Sequence, residues 1–401
     1  MKTNHLHSRT LLFVLLFCAV FALNTGHVQA APDQEPVSYI ERTFSEPSVT
    51  EEAKSTSDYT EVTADTAAFE DGQTYVVKGD VTVSERITSE GKVSLILTDG
   101  CSLTVEKGIS LQQGCILQIF GQTENTGRLT ANKNGAAGDA SAIGFDRDGF
   151  GMLIIHGGTI EAYTTEATYT AAIGFGKNQL RNCDIRILGG NVSANAKKLG
   201  VGIRANELII AGGSVSSYSR TYSALSGVRV MISDGSVSAS ADSIGPVIDG
   251  TAYMGGGTLK LQATAGADCF GTSLDMTGGS IEARKLGTGT MVNNLTMSGG
   301  SLTAVSEDLG TVVRNLTLSG GTLNVTSSTN ATVLSGDVDI FGGKMILNAN
   351  GLGPISDATV RRAEGIGIVY GNSADDLWNL VGESSLLIPS GVNYAETVEL
   401  P

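Results

Sequence analysis

Basic residues are scarce in this chain. Lys and Arg number 26 against 41 Asp and Glu, a formal net charge of −15. Nucleic acid and anionic lipid both demand positive surface, so neither is an expected partner. Histidine is scarcer: His5, His7 and His27 all precede Ala31 and His156 stands alone in the rest, which excludes a histidine-built metal centre. Period-3.6 apolar stripes are missing from the body of the chain, and this excludes helical repeats. Aromatic side chains make up only 5% of the composition, so the few places where tyrosines gather carry weight.

Long hydrophobic runs are also missing, with one exception. Lys2 and Arg9 precede an apolar stretch from Leu11 to Leu23, and Val28-Gln29-Ala30 supplies small residues before Ala31. The stretch is too short for a stable membrane anchor. Residues 1–30 therefore read as a signal peptide, cleaved to give a secreted or cell-surface product with no membrane insertion afterwards. Cys18 is not read as a lipidation site, because bulky Phe17 precedes it. Without the leader, 24 Lys and Arg face 41 Asp and Glu, a net charge of −17. Residues 31–71 are acidic, polar and aperiodic, the composition expected of a disordered linker.

Beyond residue 72 the chain is dominated by a repeat. Gly-Gly doublets occur at 157–158, 189–190, 212–213, 256–257, 278–279, 299–300, 320–321 and 342–343, with Asp234-Gly235 filling one place in the series. After a longer first step, the doublets recur about every 22 residues, and a constant period of this size marks a solenoid. Two positions before each doublet stand Ile155, Ile187, Ile210, Ile232, Met254, Met276, Met297, Leu318 and Ile340; two after stand Ile160, Val192, Val215, Val237, Leu259, Ile281, Leu302, Leu323 and Met345. Alternation at period two places one strand on each side of the doublet, both facing a common interior. Glycine suits the sharp corner between them. A third apolar patch, such as Val247-Ile248 or Val312-Val313, closes each coil. The expectation is an all-β, single-stranded parallel β-helix with ~22-residue coils over 72–351, followed by a C-terminal cap at 352–401. About 13 coils at about 4.8 Å each would make a rod of about 60 Å.

The run KVSLILTDGCSLTVEKGISLQQGCILQIFGQ, the AIGF blocks and the GG-[TS]-[IVL]-x-A corners resemble the glycine-rich repeats of proteins secreted or displayed by Gram-positive gut bacteria. The resemblance implies a pectate-lyase-like right-handed β-helix and a loose association with carbohydrate. It rests on core and corner residues, so it speaks for fold rather than activity.

Four cysteines follow the leader: Cys101, Cys115, Cys183 and Cys269. Cys115 and Cys183 fall in one inward column with Gly151 between them. Two coils, about 9.6 Å, exceed the Cα separation of about 7 Å that a disulfide tolerates, so the thiols are expected free.

Catalysis has little to stand on. The outward positions three after each doublet read Glu161, Ser193, Ser216, Ser238, Lys260, Glu282, Thr303, Asn324 and Ile346, and supply no carboxylate pair on neighbouring coils. Those three before include Ile154, Ile209, Met231 and Tyr253, with Met231 expected to tolerate an aspartate. No enzyme activity and no cofactor are expected. Asp146 and Asp148, two positions apart before Gly149, are the one candidate for Ca²⁺, although DxDG is also an ordinary solvated turn.

Tyrosines provide the more pointed signal. Tyr163, Tyr169, Tyr218 and Tyr222 all fall in the turn after the second strand, accompanied by Lys197, Lys198 and Arg220. Flat rings stack on sugar C–H faces while hydroxyls bond neighbours, and cations favour an acidic glycan. The expected function is non-catalytic binding of a polysaccharide or host glycan, or adhesion at a cell surface. A structural spacer is the alternative, in which the rings pack between loops. A polysaccharide-lyase-like enzyme is the third reading, and the oligomeric state is left open.

Overall fold

The computed structural model describes residues 34–399 except 136–139, 146–149, 166–169, 177–182, 243–244, 265, 308–310, 328–331, 350–358, 375, 382–384 and 388–393. The described residues include no helix, and strand makes up 68% of the structure. The strands stack in parallel as a β-solenoid of about 12 turns. Register follows the repeat: Leu153 pairs with Ile185, Ile185 with Leu208, Leu208 with Val230, and Val230 with Ala252. The aliphatic columns on both sides of the doublets, together with Ile173, Ile203, Leu225, Ile248 and Phe270 from the third strand, form one continuous buried core.

The corners explain the doublet and its single exception. The second glycine of every doublet has positive φ, from 69° at Gly257 to 91° at Gly235. That backbone strains any residue with a Cβ. The first position does not carry it, so Asp234 fits there. Several strands run unbroken through the corner, Leu225–Ala241 and Thr290–Ser306 among them, and the doublet acts as a bulge with a register shift rather than a break.

The solenoid reaches past its expected limits at both ends. Thr60–Glu61 already pairs with Tyr75–Val76 and Ala68–Phe69 with Thr88–Ser89. At the other end Thr359–Arg362 continues the parallel stack on Asp337–Ile340. The cap then reverses direction: Tyr394–Glu399 runs antiparallel to Lys344–Ala349 and to Ile366–Ser373. Antiparallel cover closes the exposed edge of the last coil.

The acidic segment departs from expectation. Instead of a disordered linker throughout 31–71, the chain forms an antiparallel hairpin of β1 (Val37–Ser45) and β2 (Ser48–Thr56). Its apolar residues answer an apolar strip outside the solenoid. Val37, Tyr39 and Tyr59 pack with Val76, Ile96 and Phe120. Phe44 and Val49 pack with Leu188, Ile209, Ala211 and Met231. Met231, expected on an open outward face, is 4% exposed, and Ile209 is 5% exposed. Burying Phe44, Val49 and the strip they cover repays the ordering of the hairpin. The acidic side chains stay at its rim, where Lys54 pairs with Glu41 and Arg42 with Glu51.

Candidate functional site

Tyr163 and Tyr218, expected in the turn after the second strand, lie instead on that strand, which follows the corner, whereas Tyr222 is in the turn. In Thr159–Thr164, Ile160 and Ala162 point inward and are fully buried, so Glu161 and Tyr163 face out. Parallel register carries this alternation from coil to coil. Tyr163 pairs with Asn195, Asn195 with Tyr218, and Tyr218 with Ser240. The two tyrosines thus share one row with a single coil between them, about 9.6 Å apart. A second row runs beside it through Glu161, Ser193, Ser216 and Ser238. The surface between the rings is small, polar and rich in hydroxyls.

Each phenol is held by a carboxylate. Tyr163 Oη donates to Glu161 Oε2 at 3.4 Å, and Tyr218 Oη donates to Asp242 Oδ2 at 2.5 Å. Burial first, and the adjoining carboxylate second, push both phenols above their ordinary pKa. The rings stay neutral and oriented. Lys197 Nζ lies 5.4 Å from the centre of the Tyr163 ring, within cation–π range. Arg220 follows Tyr218, and its N–H bonds the carbonyl of Ala196 at 3.0 Å, which puts it one coil on from Lys197. Lys197, Lys198 and Arg220 are exposed. Tyr222 is half-buried, and its N–H donates to Ser219 Oγ at 2.9 Å.

The fold therefore joins Tyr163, Tyr218 and Lys197 in one site, with Lys198, Arg220 and Tyr222 in the adjoining turns. Tyr169 lies outside the described residues, as do Asp146 and Asp148. Among the described residues no group of three His, Cys, Asp or Glu side chains is placed to hold a metal ion. Asn195, the serine row and Asp242 belong to the site and escaped sequence reasoning. Their signal was available: each lies one coil along the chain from a tyrosine or its neighbour, and the coil offset is written in the repeat.

Several outward carboxylates, Glu161 of the site among them, are tied to the coil above or below. Arg128 pairs with Glu161, Arg229 with Glu207 at 2.8 Å, and Lys260 with Glu282 at 3.3 Å. The four cysteines are free and buried, away from the tyrosine rows. The outward face before the corner, from Phe120 to Met231, is covered by the hairpin. Compared with protein-family models, with curated proteins and with solved structures, the chain matches none of them.

Proposed function

We propose that this chain is a secreted, non-catalytic β-helix that binds carbohydrate through the tyrosine rows. The observation that carries the reading is the row Tyr163–Asn195–Tyr218 beside Ser193 and Ser216. Flat apolar faces alternating with short hydroxyl and amide groups match the alternating C–H faces and hydroxyls of a glycan. Lys197 and Arg220 at the rim favour acidic sugars. Export by the leader would bring the site to glycans at or beyond the cell surface. The likeness of the repeat to pectate-lyase-like β-helices secreted or displayed by Gram-positive gut bacteria bears on the fold and on export, and the tyrosine rows alone carry the binding.

A glycan array probed with the secreted chain tests it, with Tyr163→Ala and Tyr218→Ala as controls. Signals that both variants lose support the reading; a blank array, or signals that both variants keep, refute it. The spacer reading has its own support in the cross-coil pairs Arg229–Glu207 and Lys260–Glu282, which place outward charge in the service of stacking. It takes the lead if the array is blank.

A further inference from the structure

We infer that the tyrosine row takes a linear, equatorially 1,4-linked glycan laid along the solenoid axis, one sugar to each coil. This rests on the glycan-binding reading above and adds linkage, direction and register to it. Coils stack about 4.8 Å apart, and an extended chain of equatorially 1,4-linked pyranoses advances by nearly that distance per sugar. Successive sugars in such a chain are turned by about half a revolution, so every second sugar presents the same face to one side. Tyr163 and Tyr218 stand two coils apart in one row. Both rings therefore meet the same face of a first and a third sugar.

The residue between them fits the sugar between them. Asn195 occupies the intervening coil, half-buried, with its Nδ2 3.3 Å from Ser193 Oγ. A sugar turned over at this coil offers hydroxyls where its neighbours offer C–H groups, and an amide beside a hydroxyl is the complementary lining. The phenol oxygens are already engaged by Glu161 and Asp242. Ring orientation is thus set before ligand arrives, which lowers the entropy lost on binding. Beyond Tyr218 the row continues with Ser240 and then Gln262. The small side chain leaves the path open, and Gln262 sets a planar amide at the same two-coil interval. An α-1,4-linked glucan, which coils, cannot keep this register over three sugars.

The test uses the full secreted chain and calorimetry with cello-, xylo-, manno- and chito-oligosaccharides of one to six sugars, the β-1,4-linked glucuronate series, and malto-oligosaccharides as the coiled control. At least one equatorially linked series should bind, with affinity rising at least about tenfold between two and three sugars as the second ring is reached. The glucuronate arm distinguishes an acidic from a neutral source of the same linkage. Moving one ring supplies the register test: Tyr218→Ser with Ser240→Tyr sets the rings three coils apart and should lower affinity for the trisaccharide at least about tenfold. These positions face outward, so the melting temperature should hold, and it is measured alongside. The inference fails if no equatorial series binds, if one sugar binds as well as three, if malto-oligosaccharides bind equally, or if the moved ring leaves affinity unchanged. Glycan binding that depends on the tyrosines but ignores length and linkage would overturn this inference alone. Absence of any tyrosine-dependent glycan would overturn the broader reading with it.

Discussion

The backbone N–H of Arg42 donates to Nδ1 of His156 at 2.9 Å, and the guanidinium of Arg42 donates to the His156 carbonyl. One residue of the hairpin thus grips one residue of the solenoid twice. The imidazole is 3% exposed, stacks on Phe120 with ring centres 4.3 Å apart, and faces Gln118 Oε1 through Nε2 at 3.3 Å. With Nδ1 accepting from Arg42, the grip requires a neutral ring.

Burial lowers the His156 pKa from 6.5 to about 4. A depressed imidazole adds nothing above pH 6.5, where docked and undocked rings are both neutral. Below that the undocked ring takes up a proton that the docked ring refuses, so docking weakens as pH falls from 6.5 to about 4 and levels off below. The full effect on docking is at most about 3 kcal/mol, because Phe120 and Gln118 of the solenoid keep part of the burial when the hairpin leaves. Hydrogen exchange of the hairpin amides against pH reads this directly. His156→Gln should flatten the profile in that window, which separates the imidazole from Arg42, Glu41 and Glu51 around it. An equally steep profile in the variant would assign the effect elsewhere.

The core and the hairpin strip should respond differently to charge. Ile232→Asp puts an unpaired carboxylate inside the solenoid and should unfold several coils, a loss of several kcal/mol. Met231→Asp should instead release the hairpin, seen as rapid proteolysis of residues 37–56 with the coils still cooperative. Exposed Ser238→Asp should cost under about 1 kcal/mol. Thermal denaturation that ranks Ser238→Asp with Ile232→Asp would refute the inside–outside assignment.

The thiols give a clean count. Cys115 and Cys183 both align with Gly151 in one inward column, two coils apart. Burial pushes Cys183 and Cys269 up to about 12 and raises Cys101 and Cys115. The folded chain should resist alkylation at pH ~8, and four thiols should react after denaturation without reductant. Two or none would mean that a disulfide forms and the stacking register is wrong.

Glycines should differ by neighbour as well as by φ. Gly100 has φ +76° and open space where a Cβ would go, so Gly100→Ala should cost about 1–2 kcal/mol. Gly213 has φ +73°, but its Cβ would stand 2.3 Å from the carbonyl oxygen of Gly190 on the coil below. Gly213→Ala should cost at least about 2 kcal/mol more, because backbone must move to admit it. Equal melting temperatures for the two variants would show that the corners yield enough to admit a Cβ.

At the proposed glycan site, Tyr163→Ala and Tyr218→Ala should each weaken binding by about 1–2 kcal/mol with little change in melting temperature. Arg220→Ala should matter for acidic glycans only, and added salt should erase its effect. Early melting of either tyrosine variant with no glycan found would return the rings to loop packing.

The solenoid, its period and its interior can be read from the chain alone. A fold built from one repeated coil writes the same constraint at every turn, so the columns through Ile155, Ile210 and Leu318 and the corners at Gly213 and Gly300 are legible without coordinates. The repeat also puts Tyr163 and Tyr218 in one row, because coil offset alone fixes which residues stack. What lies against the outside of the solenoid emerges only in three dimensions. Ile154, Ile209 and Met231 read as stray apolar residues on an open face, and residues 37–56 read as an acidic tether. Neither segment buries enough surface to order itself. Each finds the other across a long stretch of intervening chain, through contacts such as Arg42 with His156 that no local pattern encodes.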